Sequence, residues 1–222
     1  MRRFLIIDDA VDLGFDDELR FDNKVNDILA DVVHINPIDY MQEGVEGEVV
    51  VLRLLEEVRN RSAEFWDVVA IDFNLGDFRY QEPRHNKEIC LRVAEAVREH
   101  NNSATMFFYS GTLMKFIDQL RADSAKDTQL KRIFRVGVAN FISRSMIARE
   151  ITGAVNNPSC ILRVDRMLMQ SAHLKVTPEE VEFRGCSFGD LAVAVRRQDK
   201  NGRRVIELVS EYGIAAFTDL NS

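Results

Sequence analysis

The sequence has little cysteine. Cys90, Cys160 and Cys186 lie far apart and form neither a CxxC pair nor a Cys/His metal spacing. That excludes a disulfide framework and a thiolate metal site, and each thiol is expected to be a small buried apolar side chain. Long hydrophobic runs are also missing. Nothing approaches the ~20 residues of a membrane-spanning helix, and the longest runs, such as Phe4–Ile7, are strand-sized. The start, MRRFLIIDD, ends its short apolar stretch at once with two aspartates, so it does not read as a signal peptide. A cytoplasmic protein without membrane association is expected. There is no internal repeat and no low-complexity tract. Nor is there an excess of positive charge: the net charge is −7, with 20 basic and 27 acidic residues up to residue 155 and nine of each beyond it. An acidic body argues against a general nucleic-acid-binding surface.

What is present is ordinary globular material. The chain has 222 residues, 46% hydrophobic and 29% charged, enough to bury one large core or two small ones. Five short runs are uniformly apolar: Arg3–Ile7, Val32–Ile35, Val68–Ile71, Thr105–Tyr109 and Ala139–Ile142. Runs without alternation fit strands buried on both faces of a parallel sheet. Between and after them lie helix-period stripes: Phe21/Val25/Ile28-Leu29, Val51/Leu55/Val58, Cys90/Ala94/Val97, Leu113/Phe116-Ile117/Leu120 with Thr112 as N-cap, and Ile147/Ile151/Val155. Five strands alternating with five helices predict a doubly wound α/β domain. Gly76–Asn86 and Arg121–Gln129 read as two long polar connections.

Asn156-Asn157-Pro158-Ser159 is a turn-forming cluster that divides the chain into residues 1–157 and 158–222. The second part reads as a small, mainly helical domain. Leu162, Met167 and Met169 mark one helix, Thr177-Pro178-Glu179-Glu180 starts another, and Ser187–Asp190 resembles a capping box. Asn201-Gly202 reads as a turn ahead of a helix carrying Val205/Ile206, Val209 and Tyr212, with Gly213 as its C-cap. A hairpin of Leu191–Arg197 and Arg204–Val209 is the competing reading. Phe183, Phe188, Tyr212 and Phe217 are candidate core. The basic cluster from Arg196 to Arg204 sits at the expected turn, where solvated charge is common, and the segment is charge-balanced. A module for dimerisation or docking of a protein partner is favoured over DNA binding.

The chemistry gathers where strands end. Asp8-Asp9 close the first run, Asp72 the third and Ser110 the fourth, and Arg144 follows the fifth. Open parallel sheets bind ligands outside the carboxyl ends of their strands, and in a flavodoxin-like order the first and third strands are neighbours. Three carboxylates would then share one crevice. Unmatched, they repel and some of their pKa values rise. A divalent cation removes the conflict, and an all-oxygen ligand set suits Mg²⁺. Beside it Asp72 would act as a nucleophile toward phosphorus, with the Ser110 hydroxyl and the Arg144 guanidinium neutralising the transferring group.

With FLIIDDA, WDVVAIDFNLGD, FFYSGT and GVANFISRSM at these strand ends, residues 1 to about 155 resemble the CheY-like receiver domain of bacterial two-component response regulators. The resemblance implies the flavodoxin-like five-stranded fold, phosphorylation of Asp72, and Mg²⁺ held by Asp9, Asp72 and the main-chain carbonyl of Asn74, with Asp8 acting through water. It implies Ser110 as the conformational hydroxyl, Phe141 as the switch aromatic, and a histidine kinase or other phosphodonor as partner. Output would pass to a protein partner or a second copy, and no activity is implied beyond phosphorylation and dephosphorylation of the chain's own aspartate. Arg144 replaces the family's lysine, Ser145 its following proline, and Leu75-Gly76-Asp77 lacks the usual proline, so the receiver is atypical. Two other readings compete: a phosphorylation-independent scaffold that keeps the acidic pocket, and a phosphohydrolase of the haloacid dehalogenase type. The latter needs a DxD nucleophile on the first strand, which Asp8-Asp9-Ala10-Val11-Asp12 does not supply.

Overall fold

The computed structural model describes residues 2–9, 19, 30–40, 47–76, 87–111, 126–156, 159–170, 172–175, 183 and 185–209. Within these, the apolar runs form one five-stranded sheet: β1 (Arg2–Ile7), β2 (Ala30–Ile35), β3 (Val68–Asp72), β4 (Thr105–Ser110) and β5 (Asn140–Ser143). Every pairing is parallel, and the order is β2-β1-β3-β4-β5. This is the flavodoxin-like arrangement expected from the sequence. The order reverses beside β1, which brings the carboxyl ends of β1 and β3 together.

Uniformly apolar strands are explained by what covers them. From one face Leu5, Ile7, Val69, Ile71, Met106 and Phe108 pack against α1 (Gly47–Ser62), α2 (Lys87–His100) and α3 (Lys126–Val136). From the other, Phe4, Ile6, Val68, Ala70, Phe107 and Tyr109 pack with Leu19 and with Ile147, Ala148 and Ile151 of α4 (Ile147–Asn156). Each fully buried Leu, Ile, Val or Phe contributes about 1.5–3 kcal/mol. β2 differs from expectation: only Ile35 is buried and the rest of the strand is half-buried. Among the described residues it is an edge strand and pairs with β1 alone.

The connection expected at Arg121–Gln129 is partly helix, since α3 begins at Lys126. Few apolar positions mark this helix. Ile133 and Val136 reach the core while Phe134 is 79% exposed. Arg132 ties it to α2, donating to Glu88 at 2.6 Å and to Glu95 at 2.8 and 2.9 Å. The stripes at Phe21–Leu29 and Leu113–Leu120, the N-cap at Thr112 and most of the Gly76–Asn86 connection lie outside the described residues, as do Thr177–Glu180, Tyr212, Gly213 and Phe217.

Beyond residue 158 come α5 (Cys160–Gln170) and α6 (Phe188–Arg197), and residues 200–209 are helical as well (α7). The hairpin alternative is thereby displaced. Ser187 and Asp190 form the expected capping box. The turn falls earlier than Asn201-Gly202: Gln198 takes the left-handed conformation at φ 52°, and Asp199 accepts from the Gly202 main-chain N–H at 2.9 Å, capping α7. Gly202 lies inside that helix, at a position where a Cβ would stand 2.1 Å from the carbonyl oxygen of Ala194. Val164, Phe183, Leu191, Val195 and Val205 form a third apolar cluster, with Phe188 and Cys186 half-buried against it. Met167 and Met169, expected on the buried stripe of α5, are 64% and 39% exposed. Leu162 is buried as expected, and Val164 is buried with it.

This helical segment is tied to the amino ends of the strands. Arg196 is 3% exposed, not solvated as a turn residue would be. It donates from Nε and Nη2 to Asp165 at 3.0 and 3.1 Å and from Nη1 to the Ala63 carbonyl at 2.8 Å. Ser103 donates to Asp165 at 2.6 Å, and the Asn102 N–H donates to the Arg196 carbonyl at 2.6 Å. Arg166 pairs with the buried Asp67 at the foot of β3. Cys90 is buried in the main core, and neither it nor Cys186 forms a disulfide. Among the described residues no helix is long and apolar enough to cross a membrane.

Candidate functional site

Two strand ends deliver the acidic groups. β1 runs out into Asp8, which is fully buried, and Asp9, which is half-buried. β3 ends on Asp72, 7% exposed. One carboxylate oxygen from each of Asp8, Asp9 and Asp72 lies within 4.8 Å of the others. Ser110 closes β4 at 4% exposure, and Arg144 opens the short 3-10 helix Arg144–Met146 directly after β5. All five sequence-predicted polar side chains therefore lie at the carboxyl pole of the sheet.

Hydrogen bonds fix the acids in different ways. Asp72 Oδ1 accepts from the Asn74 main-chain N–H at 2.9 Å, a local turn that folds the chain back over the strand end. The Asn74 side-chain amide donates to Ser110 Oγ at 2.6 Å, joining the loop after β3 to the end of β4. Asp9 Oδ2 accepts from the Gly76 N–H at 2.6 Å. Asp8 Oδ2 accepts from Arg144 Nη2 at 2.6 Å and also from the Tyr109 hydroxyl. Arg144 thus reaches across the crevice to the acidic pair, and its guanidinium carbon lies 6.0 Å from the Tyr109 ring centroid.

Electrostatics follow from burial and crowding. The Asp72 carboxyl is pushed up to about 7, first by burial and then by the charges of Asp8 and Asp9, against the opposing effects of the Asn74 N–H and Arg144. Burial also raises Asp9, with Asp8 adding to it. The Tyr109 phenol is driven well above its usual value by burial and by Asp8, so it donates as a neutral hydroxyl. The expected repulsion is present, but loss of water outweighs it. Three carboxylates face one guanidinium, a formal balance of −2 when all are ionised. A hard dication meets that balance, and an all-oxygen donor set within 4.8 Å suits Mg²⁺ with waters completing its shell.

Phe141 lies on the core side of β5. Its ring centroid is 5.3 Å from that of Phe108 and 6.3 Å from that of Phe73, the residue after Asp72. An aromatic contact therefore links the fifth strand to the turn that follows Asp72. Sequence reasoning missed Tyr109. The available signal was that a tyrosine in a buried strand needs a partner for its hydroxyl, and this one precedes the strand-terminal Ser110. It also missed the side-chain role of Asn74.

No protein-family model matches the chain, and no curated protein matches its sequence. Solved structures do. One is the signal receiver domain of an HD domain-containing protein from Pseudomonas fluorescens Pf-5, at 11% identity over 71% of this chain and 93% of that one, with a TM-score of 0.38. Another is a CheY-like response regulator from Mesorhizobium loti, at 12% identity, 70% and 97% coverage and a TM-score of 0.35. A third is RcsB from Salmonella enterica serovar Typhimurium, bound to promoter rprA in the presence of phosphomimetic BeF3−, at 10% identity, 94% and 99% coverage and a TM-score of 0.37. The chain is similar to these response regulators and receiver domains.

Proposed function

We propose that the chain is a response-regulator-like signalling protein that accepts a phosphoryl group on Asp72. The observation that carries this reading is the convergence of Asp8, Asp9 and Asp72 within 4.8 Å at the end of a 2-1-3-4-5 parallel sheet, with Ser110 and Arg144 on the adjoining strands. An Asp72 carboxylate oxygen attacks phosphorus of a phosphohistidine or another phosphodonor. The new O–P bond forms as the donor's bond to phosphorus breaks, and the donor leaves with that electron pair. Asp8, Asp9, Asp72 and the main-chain carbonyl of Asn74 would hold Mg²⁺, which supplies positive charge to the transferred group when bound. Ser110 donates its hydroxyl to a phosphoryl oxygen and gives up its present partnership with Asn74. Arg144 supplies the fixed cation. It does so with a planar fork in place of the compact ammonium of a lysine.

The added charge draws Ser110 and Arg144 toward residue 72. Phe141, packed on Phe73 and Phe108, follows as the strands adjust. Output passes through contact with a protein partner or a second copy, and residues 158–222 serve as the interaction module. DNA is not part of this reading, and the chain is not an enzyme beyond turnover of its own aspartyl phosphate.

A second reading, a phosphorylation-independent scaffold, is favoured by one specific contact: Arg144 donates to Asp8 at 2.6 Å. Beryllium fluoride separates the two. With Mg²⁺, fluorine NMR of the wild type should show a bound trifluoroberyllate signal that is absent in Asp72→Asn. No Mg²⁺-dependent signal in the wild type would remove the phosphoacceptor reading and leave the scaffold.

A further inference from the structure

Tyr109 and Arg144 approach Asp8 from different elements and meet on the same atom. Tyr109 sits opposite Asp72 in the β3–β4 register, at 1% exposure, with its ring packed in the second core cluster beside Ile142 and Ile147. That packing fixes where the hydroxyl ends, which is Asp8 Oδ2. Arg144 brings Nη2 to 2.6 Å from the same oxygen, with its side chain one-third exposed. A carboxylate oxygen offers about two lone-pair sites, so these two donors suffice to occupy it. The other two acids are held differently. Asp9 and Asp72 each accept a neutral main-chain N–H, from Gly76 and Asn74. The acidic pair is therefore asymmetric. Asp8 is held by a guanidinium, while Asp9 and Asp72 are held by main-chain N–H groups and feel Arg144 as a nearby charge.

We propose, building on the phosphoacceptor reading above, that Tyr109 and Arg144 form a clamp on Asp8 that competes with the divalent cation, so that cation binding and release of Arg144 are one linked event. The charge argument is direct. A guanidinium on Asp8 stands among the same carboxylates that would hold the dication, and like charges in a partly desolvated crevice repel. The lone pairs of Asp8 Oδ2 are also committed. Once the charge of Asp8 is met from elsewhere, Arg144 is free to turn toward residue 72. Its head is long and exposed enough to do so without repacking the core, whereas Tyr109 is held by its ring. The clamp thus has one fixed jaw and one movable jaw. Arg144 remains unavailable to a phosphoryl group until the cation has arrived.

Isothermal calorimetry with Mg²⁺ on the full chain, cross-checked by electron paramagnetic resonance of Mn²⁺, tests this. Arg144→Met is expected to bind at least about tenfold more tightly than wild type, within the usual range for a coupling between two ligands of one site. Tyr109→Phe keeps the ring and its packing, and should bind about threefold more tightly. Arg144→Lys, which keeps the charge, should stay below the gain of Arg144→Met. A wild type that binds too weakly to measure beside a binding Arg144→Met also supports the clamp. Equal or weaker binding by both Arg144→Met and Tyr109→Phe would overturn it and make the pair a scaffold that positions Asp8. Failure of the underlying reading has another signature. Cation binding would then follow the expected order, yet no beryllium fluoride adduct would form at Asp72.

Discussion

Both ends of the sheet bury carboxylates, and the two ends neutralise them differently. At the amino end, Asp67 accepts from the Arg3 main-chain N–H at 2.8 Å and pairs with Arg166, with Arg2 3.6 Å away. Asp165 takes the two-pronged donation of Arg196 together with the Ser103 hydroxyl. Three guanidinium groups serve two acids, and the region is closed. At the carboxyl end, three acids share Arg144. A buried aspartate therefore has no fixed meaning until the cations around it are counted. A surplus of cations marks a structural joint, and a deficit marks a site that still needs a ligand.

Removing a cation from the closed end should have the largest effect. Arg196→Met leaves Asp165 buried without its cation, and breaking such a pair costs about 3–5 kcal/mol. Urea denaturation followed by circular dichroism should show that loss, and Asp165→Leu added to Arg196→Met should recover much of it, because two apolar side chains need no partners. Mg²⁺ affinity should not change in either variant. A loss below about 1 kcal/mol, the range of exposed ion pairs, would mean that the amino end is not sealed.

Charge at the open end should act with pH. The Asp72 carboxyl is raised in the folded protein to about 7 from an ordinary value of 3.8. Between those values the folded state holds a proton that the unfolded state has lost, so stability falls as pH rises through this window and levels off above it. In EDTA, the wild type should therefore be more stable at pH 5 than at pH 8, by on the order of 2–4 kcal/mol. Asp9 is raised too and adds in the same direction. Asp72→Asn should flatten most of the slope and stabilise the metal-free protein at pH 8. Saturating Mg²⁺ should flatten it in the wild type as well, by meeting the charge instead of removing it. An unchanged slope in Asp72→Asn would place the proton elsewhere.

The open end was the more legible of the two. Strand-terminal acids are local signals: an apolar run shows where the strand stops, and the residue that stops it is named at once. Asp8, Asp9, Asp72, Ser110 and Arg144 were all readable in this way, and the uniform runs predicted the parallel sheet that gathers them. The closed end was opaque because its partners are distant in the chain. Arg196 and Asp165 are 31 residues apart, and Arg166 and Asp67 are 99 apart. Nothing beside Arg196 separates it from the exposed Arg197 and Arg203 that follow it, so it read as solvated charge. The same physics hid α3, whose hold on α2 is the charge of Arg132 more than an apolar stripe. Gly202 misled for another reason. Asn-Gly is a turn signal in isolation, but here the missing Cβ serves the close approach of α7 to α6.

The smallest effect concerns how α6 presents Arg196. Its first turn is capped from both sides: Asp190 donates its N–H to Ser187 Oγ at 3.1 Å, and the Ser187 N–H donates to Asp190 Oδ2 at 2.8 Å. Ser187→Ala removes the first of these and should cost about 1 kcal/mol, the usual value of a serine N-cap. Arg196 lies nine positions along the same helix, near its other end. At about 1.5 Å per residue the two are far enough apart for their effects to add within about 0.5 kcal/mol. Denaturation of Ser187→Ala, Arg196→Met and the double variant should show that additivity. A double variant no worse than Arg196→Met alone would mean that α6 has already left the body once its ion pair is gone. The buried joint would then hold the whole helix in place, cap included.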